Sequence, residues 1–189
     1  MSSPKLFVEH TLSEEELAGL VDENELRTAM SFGSARRRRE YLSWRGIVRR
    51  QLGADTIIEY AESGAPYAVN RKEHIGVSHS DDMVAVIISD RACAIDIEKT
   101  SRDFSRAASR FMTEQERTLN DDPRLPAAVW CAKETLYKYA GRKGLGLLDD
   151  IAVRSVDFEK GSILGEIKGY GEVRLSMLGC GEFLIVYVG

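Results

Sequence analysis

Ala92-Cys-Ala-Ile-Asp-Ile-Glu98 has the alternation of apolar and acidic side chains that is typical of a β-strand. Successive side chains of a strand point to opposite faces, so Ile95 and Ile97 are expected to face a core. Asp96 and Glu98 then lie together on the other face. Two carboxylates on one strand face are often only its solvated side, which is the simpler interpretation of this motif taken alone.

A second acidic motif lies in Ala127 to Ala140, a run without glycine or proline that is expected to be helical. Trp130, Glu134 and Lys138 are four residues apart in this run and share one helical face. The last two also form a common helix-surface pair, worth about 0.2–0.5 kcal/mol. If the fold brings this helix to the strand, three carboxylates and a lysine converge. Such a group can hold a hard divalent cation against a polyphosphate.

The remaining pattern predicts an α+β fold of helices and short antiparallel strands. Helices are expected from Leu12 to Leu17, with a Ser13–Glu16 capping box, and from Ala35 to Leu52. Further helical segments are expected between Phe104 and Gly141, and Met83 to Ser89 is expected to form a hairpin with the acidic strand. The other predicted strands are Lys5–His10, Thr56–Tyr60, His74–Ser78, Ile151–Phe158, Ser162–Ile167, Glu172–Met177 and Phe183–Val188.

Composition and charge limit the class of protein. A chain of 189 residues with a net charge of −4 suits one domain or two small lobes and argues against a general nucleic-acid binder. The longest apolar run, Met83 to Ile88, is far too short to span a bilayer, and the N-terminus lacks the features of a signal peptide. No membrane partner is therefore expected. The three cysteines show neither a disulfide framework nor zinc-type spacing, which favours reduced, buried thiols in a cytoplasmic protein.

An arginine-rich segment from Ser34 to Arg50 stands out in this acidic chain. It can be an exposed helix face, but arginine also suits bidentate phosphate binding, so a localised anionic ligand is an alternative. Ser78-His79-Ser80 follows a predicted strand and can be a loop cap. We interpret it as a set of phosphate donors rather than a nucleophile and its base, because adjacent residues cannot easily make a productive serine–histidine contact.

Taken together and in order, several short motifs resemble the 4′-phosphopantetheinyl transferases, specifically the surfactin-synthetase-activating type. The motifs cover roughly the middle half of the chain, with a looser similarity in the arginine-rich segment. Three positions depart from the residues usual in that family, namely Ala65, Gly76 and Ala94, and none of them is a predicted metal ligand. The motifs are Ser63-Gly-Ala-Pro-Tyr67, Gly76-Val-Ser-His-Ser80, Ala94-Ile-Asp-Ile-Glu98, Arg110-Phe-Met-Thr-Glu-Gln-Glu116, Trp130-Cys-Ala-Lys-Glu-Thr-Leu-Tyr-Lys138 and Gly141 to Leu145.

The resemblance implies transfer of the phosphopantetheine arm of coenzyme A to a serine hydroxyl of an apo acyl or peptidyl carrier protein, with release of adenosine 3′,5′-bisphosphate. Asp96, Glu98 and Glu134 would hold Mg²⁺ on the coenzyme A diphosphate. Lys138 would contact that diphosphate, and Lys133 is a further candidate. The predicted catalytic residues are thus Glu134, Lys138 and Asp96. The acceptor of the serine proton stays open between Glu134 and a metal-bound water.

By the same resemblance, the first half of the chain binds the nucleotide of coenzyme A and its 3′-phosphate. The implied fold is two similar α+β lobes, residues 1–100 and 101–189, joined as a monomeric pseudo-dimer with the site in the cleft between them. Two alternatives stay open: another Mg²⁺-dependent phosphoester enzyme, such as a nuclease, and a non-catalytic module that binds carrier proteins. The predicted nucleotide contacts are Arg37, Arg45, Ser78 and His79, and the residues of the turn near the adenosine are Gly64 and Pro66.

Overall fold

A computed structural model of the chain describes residues 3–104 and 106–189. The chain divides into two units, Met1–Ala92 and Cys93–Gly189, and each has helices packed on an antiparallel sheet, which confirms the α+β prediction. The boundary falls after Ala92 rather than after residue 100, because the strand that follows pairs inside the second unit. Among the described residues, no helix is long and apolar enough to cross a membrane.

The main sheet of the first unit has three antiparallel strands in the order β1, β5, β4, and β2 and β3 form a separate hairpin. All residues of β5 are buried, because this strand is central. Its position explains the continuous apolar run in its sequence. The strands are β1 (Lys5–His10), β2 (Ile58–Tyr60), β3 (Pro66–Ala68), β4 (His74–Ser80) and β5 (Met83–Ser89).

Local capping residues set the helix bounds of the first unit. Helix α1 has the predicted capping box between Ser13 and Glu16. Helix α3 begins after Ser34, whose hydroxyl accepts the N–H of Arg37, and ends before Gly53, whose φ of 111° suits glycine. Its buried face, including Trp44, Ile47 and Val48, packs on β4 and β5. The helices are α1 (Glu14–Leu17), α2 (Glu23–Met30) and α3 (Ala35–Leu52).

The second unit is a five-stranded antiparallel sheet, in the order β6, β10, β9, β8, β7, covered by one long helix. That helix, α5, starts at Leu125 and has Pro126 in its first turn, where proline is tolerated. Helix and sheet approach so closely that a Cβ on Gly165 would lie 2.5 Å from Leu136 Cδ1. The elements are β6 (Ala94–Lys99), α4 (Glu114–Arg117), α5 (Leu125–Ala140), β7 (Ile151–Asp157), β8 (Ser162–Ile167), β9 (Gly171–Cys180) and β10 (Phe183–Val188).

The predicted hairpin between β5 and the acidic strand is wrong. Strand β5 is already paired on both edges, by β1 and β4, and β6 pairs with β10 instead. In that register Asp96 lies opposite Val186 and Glu98 opposite Leu184, which pack in the core beneath α5. Cross-strand partners share a sheet face. Both carboxylates therefore lie on the helix-covered face of the same unit as Glu134, and not in an N-terminal lobe.

Candidate functional site

Helix α5 lies over strand β6 and brings the two acidic motifs together. Lys138 Nζ donates hydrogen bonds to Asp96 Oδ1 at 2.7 Å and to the Ile95 carbonyl at 3.0 Å. Two turns earlier on the same helical face, Trp130 Nε1 donates to Glu98 Oε1 at 2.9 Å. Each end of this face thus contacts one carboxylate of the strand.

Glu134 occupies the middle of that face, within electrostatic range of both strand carboxylates. Its pKa is raised, first because burial disfavours the charged form and then because of the negative charge of Asp96. Lys138 acts in the opposite direction, and Glu98 adds a smaller increase. Asp96 and Glu98 are only 5% and 8% exposed. The interpretation of the strand motif as a solvated face is therefore wrong.

Asp96, Glu98, Glu134 and Lys138 form what we call the acidic site. Arg102 is a further residue of this site, and the sequence did not predict it. Its Nη1 lies 2.5 Å from Glu98 Oε1, and its guanidinium carbon lies 5.2 Å and 5.7 Å from the ring centroids of Phe104 and Trp130. The two rings lie in one aromatic cluster with Phe111, and Trp130 packs, partly buried, against the core of the second unit. The only sequence signal for Arg102 is its spacing of four from Glu98. A spacing of four predicts contact between two side chains within a helix, but not between a strand residue and the segment that follows the strand.

The acidic site has the right donors for a hard cation, but it is not arranged around one. Carboxylate oxygens are the ligands that Mg²⁺ prefers. Within residues 3–104 and 106–189, however, no group of three or more histidine, cysteine, aspartate or glutamate side chains is arranged to hold a metal ion. Asp96 is paired with Lys138 and Glu98 with Arg102. The donor chemistry therefore fits Mg²⁺, and the three-carboxylate metal site stays a prediction.

Lys133 has a structural position in the second unit rather than one at the acidic site. Its side chain is fully buried, and Nζ lies 2.8 Å from Glu116 Oε1 and donates to the Leu147 carbonyl at 2.7 Å. Burial lowers its pKa, although the bond to Glu116 opposes this. Because both contacts are internal, we replace the expected coenzyme A contact of Lys133 with a structural role.

The first unit has a cavity of about 670 Å³ with basic and aromatic walls. Arg37, which the resemblance assigns to the nucleotide, lines this cavity and is exposed, as is His79 from β4. Arg36 lines it as well and was noted only as part of the arginine-rich segment. A cation beside aromatic rings can bind a ligand that carries both a phosphate and a flat base. The aromatic residues of the wall are Phe32, Tyr41, Trp44 and Tyr60.

Arg45 packs against aromatic residues of the cavity wall and is not itself a lining residue. Its side chain is 2% exposed, and Nε lies 3.2 Å from Glu25 Oε1. Its Nη2 donates to the Tyr60 hydroxyl at 2.7 Å, and its guanidinium carbon lies 3.5 Å and 4.0 Å from the ring centroids of Tyr41 and Trp44. The expected direct contact with the nucleotide is therefore corrected to a structural one: Arg45 holds three of the aromatic walls.

The remaining predicted contacts of the first unit lie on two short structures. Gly64, with φ of 90°, and Pro66 shape the turn of the β2–β3 hairpin, in which Pro66 is the cross-strand partner of Tyr60. Ser78 and His79 are neighbours within β4, which extends to Ser80. Their side chains point to opposite faces of the strand, and Ser78 is buried. A direct serine–histidine pair is therefore excluded, and so is the loop-cap interpretation.

Comparison with known proteins gives one family match. Residues 92–176 match the model of the 4′-phosphopantetheinyl transferase superfamily, and that segment includes Asp96, Glu98, Glu134 and Lys138. No curated protein matches the chain. Members of the superfamily use coenzyme A as substrate. The match therefore supports this superfamily and, in general terms, a transferase that moves phosphopantetheine.

Proposed function

We propose that this protein transfers the 4′-phosphopantetheine arm of coenzyme A to a serine hydroxyl of an apo acyl or peptidyl carrier protein. The reaction depends on Mg²⁺ and releases adenosine 3′,5′-bisphosphate, and the subtype is the surfactin-synthetase-activating one. The observation that carries the proposal lies inside the family-matched segment: buried Asp96 and Glu98 on β6 face Glu134 and Lys138 on α5.

The chemistry requires charge neutralisation above all. The serine oxygen forms a bond to the β-phosphorus of coenzyme A, and the bond from that phosphorus to the bridging oxygen of the diphosphate breaks. Mg²⁺ bound by Asp96, Glu98 and Glu134 would supply positive charge to the diphosphate. Lys138, whose side chain is 33% exposed, can contact the same diphosphate. The serine proton passes to a base, for which Glu134 and water remain the two candidates.

We assign the nucleotide of coenzyme A to the cavity of the first unit. Arg36, Arg37 and His79 offer donors to phosphate, and the aromatic walls offer surfaces to the adenine. We assign Gly64 and Pro66 to the nucleotide site as well, because Pro66 pairs across the hairpin with Tyr60, which lines the cavity. The pseudo-dimer with a central cleft, the monomeric state and the cytoplasmic location remain predictions from the sequence.

The decisive experiment is the intact mass of several apo carrier proteins after incubation with the protein, coenzyme A and Mg²⁺. A gain equal to one phosphopantetheine arm, lost with EDTA and with Glu134→Gln, is expected. Glu159→Gln is the matched control, because Glu159 is exposed in the β7–β8 turn of the same unit and lies outside the acidic site. Binding of coenzyme A or carrier without transfer would favour a binding module. Cleavage of nucleic acid without coenzyme A binding would favour the nuclease alternative.

A further inference from the structure

A buried carboxylate lies in the wall of the basic cavity of the first unit. Glu40 belongs to α3, and its side chain is 8% exposed. A buried carboxylate is costly unless it is paired, and its charge repels an anionic ligand. The proposed transfer chemistry requires no carboxylate at this position. The contacts of Glu40 therefore decide its role.

Glu40 connects two basic residues that line the cavity from different elements. Its Oε1 accepts a hydrogen bond of 2.7 Å from Nε of Arg36, one helical turn away on α3. Its Oε2 lies 3.6 Å from Nδ1 of His79 on β4, a distance longer than a hydrogen bond. Each contact uses one nitrogen. Neither contact involves Arg36 Nη2 or His79 Nε2, and Arg36 Nη1 lies 3.7 Å from Asp81 Oδ1.

We propose that Glu40 is a positioning residue that holds Arg36 and His79 as a pair of donors for the 3′-phosphate of coenzyme A. The inference rests on the proposed function, which assigns the nucleotide to this cavity. The side chains of Arg36 and His79 are 55% and 51% exposed. Without Glu40, Arg36 would keep only the longer pair with Asp81, so more of the ordering of both donors would take place when the ligand binds. Such ordering lowers affinity, and a carboxylate that orders the two donors beforehand removes part of that cost.

The effect of Glu40→Gln on the affinity for coenzyme A distinguishes two roles of Glu40, positioning of the donors and repulsion of the ligand, because the two roles predict changes of opposite sign. Glu40→Gln keeps the size of the side chain and an acceptor for Arg36, but it removes the negative charge. If Glu40 only repelled the ligand, this change would tighten coenzyme A binding. If Glu40 positions the two donors, binding weakens although the cavity becomes more positive. The expected loss is about tenfold, because the Arg36 hydrogen bond loses its ionised acceptor and His79 loses its carboxylate neighbour.

The test is calorimetry of the full chain with coenzyme A and with 3′-dephospho-coenzyme A. Glu40→Gln is expected to weaken binding of coenzyme A and to change that of the dephospho compound by less than about twofold. Glu15→Gln is the matched control, because it removes the same charge from an exposed position on α1. In the transfer assay, Glu40→Gln is expected to raise KM for coenzyme A and to keep kcat, which a general structural defect would not do.

Four results would overturn the inference, and the last of them would also refute the proposed function. The first is binding of coenzyme A by Glu40→Gln that equals or exceeds that of the wild type, and the second is an equal loss for both ligands. If that variant does not fold, Arg36→Gln at an exposed position tests the same pair, and unchanged affinity for coenzyme A would be the third. A wild-type protein that binds neither ligand would refute the proposed function itself, and with it this inference. Wild-type binding with unaffected variants would refute only the role of Glu40.

Discussion

Lys133→Met tests whether a lysine that the resemblance assigns to coenzyme A is instead a structural residue. Its ammonium group is fully buried between Glu116 Oε1 at 2.8 Å and the Leu147 carbonyl at 2.7 Å. Methionine keeps much of the length and volume of the side chain but removes the charge and both contacts. The substitution therefore leaves a buried carboxylate without its cation.

The expected loss in the free energy of unfolding depends on the hydrogen bonds that Glu116 keeps in the variant. Removing one partner of a buried ion pair costs about 3–5 kcal/mol. Glu116 keeps hydrogen bonds from the N–H groups of Val153 and Thr113, so we expect the lower end of that range, about 3 kcal/mol. The Leu147 carbonyl loses its donor, which adds about 1 kcal/mol. A total of about 4 kcal/mol is a large part of the roughly 5–15 kcal/mol that stabilises a typical protein.

Urea unfolding measures this loss in the second unit. In a Trp44→Phe background the fluorescence comes from Trp130, which lies in that unit. With an m-value of about 2 kcal/mol per molar urea, the midpoint is expected to fall by about 2 M. Lys160→Met is the matched control. The side chain of Lys160 is 81% exposed, and its surface pair with Asp157 contributes at most about 1 kcal/mol.

Equal midpoints for the two lysine variants would refute the reasoning about the buried pair. A loss of coenzyme A affinity in Lys133→Met without a loss of stability would restore the ligand contact that the resemblance implies. The double variant Lys133→Met/Glu116→Gln gives an independent check. It is expected to lose less stability than the sum of the single variants, because a neutral amide no longer requires a buried cation.

Glu134→Gln is expected to abolish carrier modification, which intact mass measures. It is also expected to raise the melting temperature slightly, because it removes a partly buried charge beside two other carboxylates. Retained turnover with a lower melting temperature would contradict both statements. Gly165→Ala is expected to cost about 1–3 kcal/mol in urea unfolding, because its Cβ would overlap a leucine of α5. Gly179→Ala, where an added Cβ meets nothing within 4 Å, is expected to be neutral or to stabilise by up to about 1 kcal/mol, and equal effects would contradict the packing argument. Iodoacetamide is expected to modify exposed Cys180 before Cys93, whose pKa is raised to about 12 by burial, and peptide mapping over time would reveal any reversal of that order.

Features that depend on neighbouring residues could be predicted from the sequence. Helix α3 spans Ala35–Leu52 as predicted, because its serine N-cap and the glycine that follows it act locally. The Ser13–Glu16 capping box is equally local. The acidic strand and the acidic helix were also located correctly. Alternation along the strand and a spacing of four along the helix fixed which side chains share a face.

Features that depend on distant partners were missed. Arg45 is buried because Glu25 on α2 faces it, and Lys133 is buried because Glu116 on α4 does. Nothing in an arginine-rich segment tells which of its members meets a buried carboxylate from another helix. The pairing of β6 with β10 is non-local in the same way. The two residues Asp90 and Arg91 suggest a tight turn, but such a turn predicts a hairpin only when the preceding strand has an unpaired edge, and both edges of β5 are paired.

The charge balance of the acidic site reconciles its ion pairs with the proposed metal. Three carboxylates lie near two cations, Lys138 and Arg102, which pair with the strand carboxylates. On the proposed function, Asp96, Glu98 and Glu134 would hold Mg²⁺, which would leave Lys138 and Arg102 available to the diphosphate. Binding of either ligand would then favour the arrangement of side chains that binds the other. Mg²⁺ and coenzyme A are therefore expected to raise each other's affinity by the same factor, because coupling between sites is reciprocal. Calorimetric titration of Mg²⁺ with and without coenzyme A measures that factor, and equal affinities would show that the exchange of partners does not take place.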